Sequence, residues 1–348
     1  MTNTSANIAS LKQALGNKVC IVGHHYQHDN VIQHCDITGD SLELARKVAQ
    51  NPAPHIVFCG VFFMAESAAL LAREGQKIYL PETAANCVMS KMTPATLLKR
   101  VLERLNTPHR TVIPLAYVNT SLAVKAVVGR FGGAVCTSAN ARTMLRWAME
   151  QGDSVLFLPD KHLGRNTAKQ LHISANDWHV LDVRHHGENL DLGVANRMPL
   201  VLWPGCCAIH AKFKPEHIDE KRAEYPGCRV VVHPECAPEV VDAADGAGST
   251  SYLIEQVRAA PAGSTLIVGT ETNLVERLRA HYADKCRVVR LRRAFCSHMA
   301  KITEEKLQAT LEAITTNTAV PVTVPAAHTV PARAALSRMM DVCAKAGV

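Results

Sequence analysis

Short apolar runs, each closing on a cluster of polar side chains, recur along this chain. Val19-Cys20-Ile21-Val22 gives way to Gly23-His24-His25-Tyr26-Gln27, Val112-Ile113-Pro114-Leu115-Ala116 to Tyr117-Val118-Asn119-Thr120-Ser121, and Val230-Val231-Val232 to His233-Pro234-Glu235-Cys236. An unbroken apolar run of this length, bounded by turn residues, suits a strand buried on both faces of a parallel sheet. Between such runs, apolar residues return at three- and four-residue intervals: Leu42, Leu44, Ala45 and Val48; Leu97, Leu98, Val101 and Leu105; Met144, Leu145 and Ala148. Those stripes predict amphipathic helices. Strand and helix in alternation predict an α/β fold of parallel sheets with helices on both faces. Ligands in such folds bind beyond the carboxyl ends of the strands, where the His, Tyr, Asn and Glu named above fall.

Each leading run is followed by two more. They lie at 56–60 and 78–83, at 134–138 and 156–161, and at 243–246 (running into Gly248-Ser249-Thr250) and 266–272. The last of each set ends on an acid: Glu82, Asp160 and Glu271. Matching order and matching ends predict one αβα unit used three times, with loops inserted unequally. The predicted domains are 1–105, 106–215 with an insertion at about 171–199, and 216–320, followed by a helical tail over 321–348. The Ala/Pro/Thr-rich stretch 315–331 is the nearest thing to a linker.

Charge and cysteine content narrow the function. The 348 residues carry 38 basic and 31 acidic side chains, a net charge of +7 with histidine neutral. No Lys/Arg block interleaves with aromatics, so small anionic substrates are favoured over nucleic acid. Met1-Thr2-Asn3-Thr4-Ser5 has neither a basic n-region nor an apolar h-region. Glu66 breaks the apolar stretch near Phe62 well short of a membrane span. A soluble cytoplasmic enzyme is expected. Twelve cysteines stand out. A reducing cytosol argues against disulfides, and no Cys-x-x-Cys spacing supports a zinc ribbon or a thioredoxin-type pair. Cys20, Cys59 and Cys136 fall in predicted strands, where cysteine is a small buried hydrophobe. Cys87, Cys207 (beside Cys206) and Cys296 fall in loops after apolar strands, one in each unit. Spacing alone leaves open whether these three share a metal.

Nine segments then occur in order: Gly23-His24-His25-Tyr26-Gln27, Gly39-Asp40-Ser41, Gly60-Val61-Phe62-Phe63-Met64-Ala65-Glu66-Ser67, Tyr117-Val118-Asn119-Thr120-Ser121, Cys136-Thr137-Ser138-Ala139-Asn140-Ala141, Pro159-Asp160-Lys161-His162-Leu163-Gly164-Arg165, His233-Pro234-Glu235-Cys236, Gly248-Ser249-Thr250 and Gly269-Thr270-Glu271. No one of them is specific, but together, over residues 19 to 310, they resemble the quinolinate synthase family of bacterial NAD synthesis. The resemblance implies three αβα domains around a pseudo-threefold axis. It implies a [4Fe–4S] cluster where they meet, held by Cys87, Cys207 and Cys296, with one iron open as a Lewis acid. Of the adjacent pair Cys206-Cys207, the motif selects Cys207, two residues after Gly205 and three before His210. The implied reaction condenses iminoaspartate with dihydroxyacetone phosphate to quinolinate, with loss of phosphate and water. The resemblance also allows transient contact with the aspartate oxidase or dehydrogenase that makes the imine.

The residues suit such chemistry. Phosphate and carboxylates need hydroxyl and backbone N–H donors, and Ser41, Ser138, Ser249 and Thr250 stand where helices are expected to begin. The same residue types serve as plain N-caps, so both readings remain open for them. Proton transfer needs acid–base groups: His24, Tyr117, His233 and Glu235, with Glu235 as main base and Asn119 and Tyr26 orienting the substrate. Residues 171–199 are expected to be a surface excursion. The histidines there (His172, His179, His185 and His186) are not expected to form a second metal site. Ala294-Phe295-Cys296-Ser297-His298-Met299 lacks the extra cysteines of some members, so no disulfide switch is expected. Two other classes stay open: a cluster-dependent hydro-lyase acting on another small anion, and a non-enzymatic iron–sulfur redox sensor.

Overall fold

The structure, a computed structural model, describes residues 3–188 and 190–347, without the side chains of Leu42, Ala45 and His186. Among the described residues, thirteen strands form three parallel sheets. The first holds β1 (Val19–His24), β2 (Ile37–Gly39), β3 (His55–Cys59) and β4 (Lys77–Tyr79) in the order β2-β1-β3-β4. The second holds β5 (Val112–Tyr117), β6 (Ala134–Cys136), β7 (Ser154–Leu158), β8 (Trp178–Val180) and β9 (Leu200–Leu202) in the order β6-β5-β7-β9-β8. The third holds β10 (Arg229–Val232), β11 (Gly246–Ala247), β12 (Thr265–Gly269) and β13 (Arg287–Arg290) in the order β11-β10-β12-β13. The expected α/β fold of three similar αβα domains is present.

That strand order corrects the register of the sequence repeat. The run at 56–60 is matched there with the one at 134–138. In the fold, however, β3 lies beside β1 as β7 lies beside β5 and β12 beside β10. The counterpart of β6 and β11 is β2, three residues that include a threonine and a glycine, which no apolar run announces. Glu82 therefore follows a fourth strand. Val61 occupies the place of Asp160 and Glu271, as the residue capping the helix that follows the third strand: Phe62–Leu71, Lys161–Gln170 and Thr272–His281 respectively.

The segment 171–199 is also more than a surface excursion. It supplies β8, which extends the second sheet in register with β9 from Trp178 opposite Leu200 to Val180 opposite Leu202. It also buries Leu181, Leu190 and Ala195. An apolar strand edge left at β9 would invite foreign pairing, and a further strand covers it. The His185-His186 pair falls partly outside the described residues.

Period-2 alternation organises the third sheet. Val231, Leu266 and Val268 pack with Leu253 and Val257 on one face, while Val230, Val232 and Ile267 pack with Ile218 and Val240 on the other. The first and second sheets share one continuous core, which also takes in Leu307, Leu311, Ile314, Leu336 and Met339. Each such side chain, fully buried, contributes about 1.5–3 kcal/mol of hydrophobic stabilisation. Helix Asn3–Leu15 packs on helix Glu304–Thr315, and helix Ala326–Ala346 on helix Leu122–Arg130. The latter pair touch backbone to backbone at Gly129, where a Cβ would stand 1.8 Å from the Pro331 carbonyl oxygen. Among the described residues no helix is long and apolar enough to cross a membrane.

Candidate active site

The ends of β1 and β5 and the turn after β10 border one cavity, with about 930 Å³ of space including its mouth. His24, Tyr26, Ser41, Tyr117, Asn119, Ser138, His233, Glu235 and Thr250 line it, as do Cys87, Cys207 and Cys296. Ser249 does not, and neither does Cys206.

Its polar side chains are tightly interconnected. His24 Nδ1 accepts the Tyr26 N–H at 3.1 Å, which leaves Nε2 for a ligand. Burial, helped by the neighbouring His25 and Arg277, lowers the His24 pKa to about 3, so the ring is neutral at physiological pH. Burial and His210 lower His233 to about 3 as well. The His210 and His233 rings stack 4.3 Å apart, 15° from parallel. Beside them lies Glu235, 2% exposed. Its Oε2 is 2.6 Å from His210 Nδ1 and 3.3 Å from His233 Nδ1, the former contact too oblique for a well-directed hydrogen bond. Burial opposes ionisation of Glu235, but the two histidines and a hydrogen bond from Tyr117 outweigh it and hold the carboxyl below its ordinary range. Oε1 of Glu235 and Oδ1 of Asn119 are buried with no hydrogen-bond partner among the described residues. Tyr26 Oη lies 2.7 Å from the Thr270 hydroxyl, which is also 3.1 Å from His210 Nε2. One threonine thus joins the first domain's tyrosine to the second domain's histidine.

The structure separates the hydroxyl residues that the sequence could not. Ser249 is a cap: its Oγ accepts the Tyr252 N–H at 3.3 Å. Ser41 is not, because Asp40 caps its helix by accepting the Glu43 N–H at 3.0 Å. Thr250 is the first residue of helix Thr250–Arg258 and donates to the Tyr26 hydroxyl at 3.4 Å. Helices Ser41–Gln50 and Thr250–Arg258 thereby bring their N-terminal residues to the same cavity, where the helix dipole favours an anion.

The three cysteines share one local geometry. Each immediately precedes, or lies just before, a short helical turn: Val88–Lys91, His210–Lys212 or Met299–Lys301. In each, the backbone N–H groups two and three residues onward favour the charged sulfur: Met89 and Ser90 for Cys87, Ile209 and His210 for Cys207, His298 and Met299 for Cys296. Burial pushes all three thiols up, Cys87 to about 12, and those N–H groups work against it. Paired N–H donors of this kind favour a thiolate, the form that binds metal. Donor atoms of Cys207, His210 and Glu235 all lie within 4.8 Å of one another. Three sulfurs from three domains at one cavity are compatible with an iron–sulfur cluster.

A family model described as quinolinate synthetase A protein matches residues 6–341. The chain belongs to that family. It is 43% identical over 347 residues to the quinolinate synthase of Corynebacterium glutamicum, covering 98% of this chain and 88% of the relative. It is 44% identical over 322 residues to that of Streptomyces coelicolor, covering 90% and 82%. With the quinolinate synthase of a Geobacillus species it shares 46% over 290 residues, covering 82% and 78%.

Sequence reasoning left several family-site neighbours unassigned. His210 served only to choose between two cysteines, although its position three residues after one of them was a signal. Lys125 is fully buried, and its ammonium donates to the carbonyls of Val118 and Thr120, the residues flanking Asn119. Burial lowers its pKa to about 8, against the pull of Glu66. The available signal was a lysine amid the apolar residues of helix Leu122–Arg130. Thr137, buried at the cavity with an unpartnered hydroxyl, carried no distinguishing pattern.

Proposed function

We propose that this chain condenses iminoaspartate with dihydroxyacetone phosphate to quinolinate in this cavity, with loss of phosphate and water. In this reading Cys87, Cys207 and Cys296 hold a [4Fe–4S] cluster with one iron open. The observation that carries it is the meeting of three thiols, one per domain and each set before a short helical turn, beside a buried acid–base set. Family membership supplies the reaction. The cluster, when bound, supplies a Lewis acid for a substrate oxygen or nitrogen.

The chain's own residues bind, orient and move protons. Ser41, Ser138 and Thr250, with the helix N-termini behind two of them, receive phosphate and carboxylate oxygens. Asn119 offers an unsatisfied amide oxygen, on a loop that Lys125 pins from behind. The Tyr26 and Tyr117 hydroxyls orient the substrate, and Tyr117 helps to keep Glu235 ionised. His24 and His233 are neutral imidazoles; Nδ1 of each accepts a backbone N–H, so Nε2 carries the hydrogen and can donate it to a substrate oxygen. Glu235 acts as general base through Oε1. A carboxylate held this low is a weak base, which suits protons acidified by bound substrate. Ser249, spent on its helix cap, is left out of the binding set.

The test is anaerobic purification with iron and sulfide analysis, then an assay with enzymatically generated iminoaspartate and dihydroxyacetone phosphate. Quinolinate formation by cluster-loaded protein supports the proposal. A cluster-loaded protein that forms none would favour a hydro-lyase or a sensor.

A further inference from the structure

Two buried acids stand at one structural position without a role in the chemistry above. Asp160 and Glu271, each with no exposed surface, follow β7 and β12 and cap the next helix. Asp160 Oδ1 accepts the N–H groups of His162 and Leu163 at 2.7 and 3.0 Å. Glu271 Oε2 accepts the Asn273 N–H at 2.7 Å. In each case the other oxygen crosses to the cysteine loop. Cys207 donates its backbone N–H to Asp160 Oδ2 at 3.1 Å, and Cys296 donates its own to Glu271 Oε1 at 3.3 Å.

A second contact establishes that these loops correspond. The residue after the capping position donates its N–H to the carbonyl two residues before the cysteine in all three domains: Phe62 to Ala85 at 2.8 Å, Lys161 to Gly205 at 2.9 Å, and Thr272 to Ala294 at 2.9 Å. In the first domain the capping residue is Val61, which has no acceptor to offer the Cys87 amide. The acid that the sequence aligned there, Glu82, is instead engaged with the Ala84 N–H at 2.8 Å and with Lys306 at 2.5 Å.

We propose that Asp160 and Glu271 are positioning residues for Cys207 and Cys296, each fixing the main chain of a cysteine whose sulfur faces the cavity, an arrangement the first domain lacks. The inference rests on the ligand reading given above. A carboxylate suits the task because it only accepts and can do so on both oxygens, whereas an amide has one acceptor oxygen and turns a donor toward one of the N–H groups. Burial pushes both acids up, Glu271 to about 7, and the main-chain N–H groups on both oxygens work against it. Through Glu271 the hold extends further: its Oε1 also accepts from Asn273 Nδ2, which donates to the Tyr26 carbonyl at 3.3 Å. The third domain's cysteine loop and the first domain's tyrosine are thus set by one carboxylate.

The test compares Asp160→Asn and Glu271→Gln with the parent, with Cys207→Ala and with Glu82→Gln. Each is reconstituted with iron and sulfide, and the rate of iron release to a ferrous chelator is followed. In parallel, iodoacetamide labelling of each thiol is mapped in the metal-free proteins, with circular dichroism reporting the fold. Asp160→Asn and Glu271→Gln are expected to release iron roughly 10- to 100-fold faster while keeping the parental spectrum. Cys207 should label faster in the first variant and Cys296 in the second, with Cys87 unchanged in both and Glu82→Gln behaving as parent. Parental iron release together with parental labelling in both variants would overturn the inference. So would unfolding of both, since the acids would then hold the fold rather than the loops. If Cys207→Ala retains its iron, the ligand reading fails on its own, and the labelling still decides whether the carboxylates hold the loops.

Discussion

At the scale of single residues the site works by excluding water from a few titratable groups whose protonation is thereby settled in advance. His24 and His233 are neutral because burial penalises their charged forms, and Glu235 is ionised because its neighbours outweigh the same penalty. Glu235→Gln keeps the shape and removes the base. It should retain cluster and fold while turnover falls about 100- to 10,000-fold, read as quinolinate formed per loaded cluster. His24 makes a separate, thermodynamic prediction. Its folded pKa of about 3 lies below the ordinary 6.5, so unfolding takes up a proton between those values. The stability this represents is whole above about pH 6.5 and is lost as pH falls toward 3. His24→Asn removes the titration. Relative to the parent, its unfolding free energy should vary with pH less steeply, by up to about 1.4 kcal/mol per pH unit in that window. Denaturant unfolding at a series of pH values measures this, and parallel curves would contradict it. At this scale much was legible: of the strand-end residues, His24, Tyr26, Tyr117, Asn119, His233 and Glu235 reached the cavity and His25 did not. Lys125 stood out as a lysine amid apolar residues, but its work is done on backbone carbonyls that a sequence does not display.

At the scale of elements, helix N-termini and strand ends decide which of several similar residues face the cavity. Ser249 and Thr250 are neighbours of the same chemical type, yet one caps the helix and the other borders the cavity. Ser249→Ala should cost about 1 kcal/mol of stability, seen as a lower melting temperature with unchanged KM values. Ser41→Ala and Thr250→Ala should do the reverse, raising KM for the phosphate-bearing substrate with little change in melting temperature. Equal effects of the three variants on KM would contradict the distinction. Strands with long apolar runs were readable, whereas β2 and β8 were not, and β11 was placed early, at 243–246. They have two or three residues each and no apolar run to detect, and their position is set by neighbouring strands rather than by their own pattern. Missing β2 misplaced the acid of the first repeat, and only the sheet order revealed that Val61 stands in its place.

Across the whole molecule, three domains must be held in one arrangement for their strand ends to share a cavity. Arg277 shows how the third domain grips the first. Its guanidinium donates to the carbonyls of His25 and Gln27, the former in a short contact and the latter at 3.2 Å, and pairs with Asp29 at 2.6 Å. It thereby fixes the loop after β1, which carries Tyr26 and directly follows His24. Arg277→Met should lower kcat/KM on the order of 10- to 100-fold, since small misplacement of reacting groups is expensive, while iron content stays at the parental value. Loss of iron instead would show that the clamp serves the cluster rather than the loop.

The central claim is that one cysteine from each domain holds the cluster, and the adjacent pair in the second domain tests it most directly. Cys207 borders the cavity and Cys206 does not, although both follow Gly205 and neighbouring side chains in an extended loop point apart. Iron per chain after anaerobic reconstitution should fall sharply, with loss of quinolinate formation, in Cys87→Ala, Cys207→Ala and Cys296→Ala, and should match the parent in Cys206→Ala. Iron loss confined to Cys206→Ala, or full iron and activity in any one of the other three, would contradict the account.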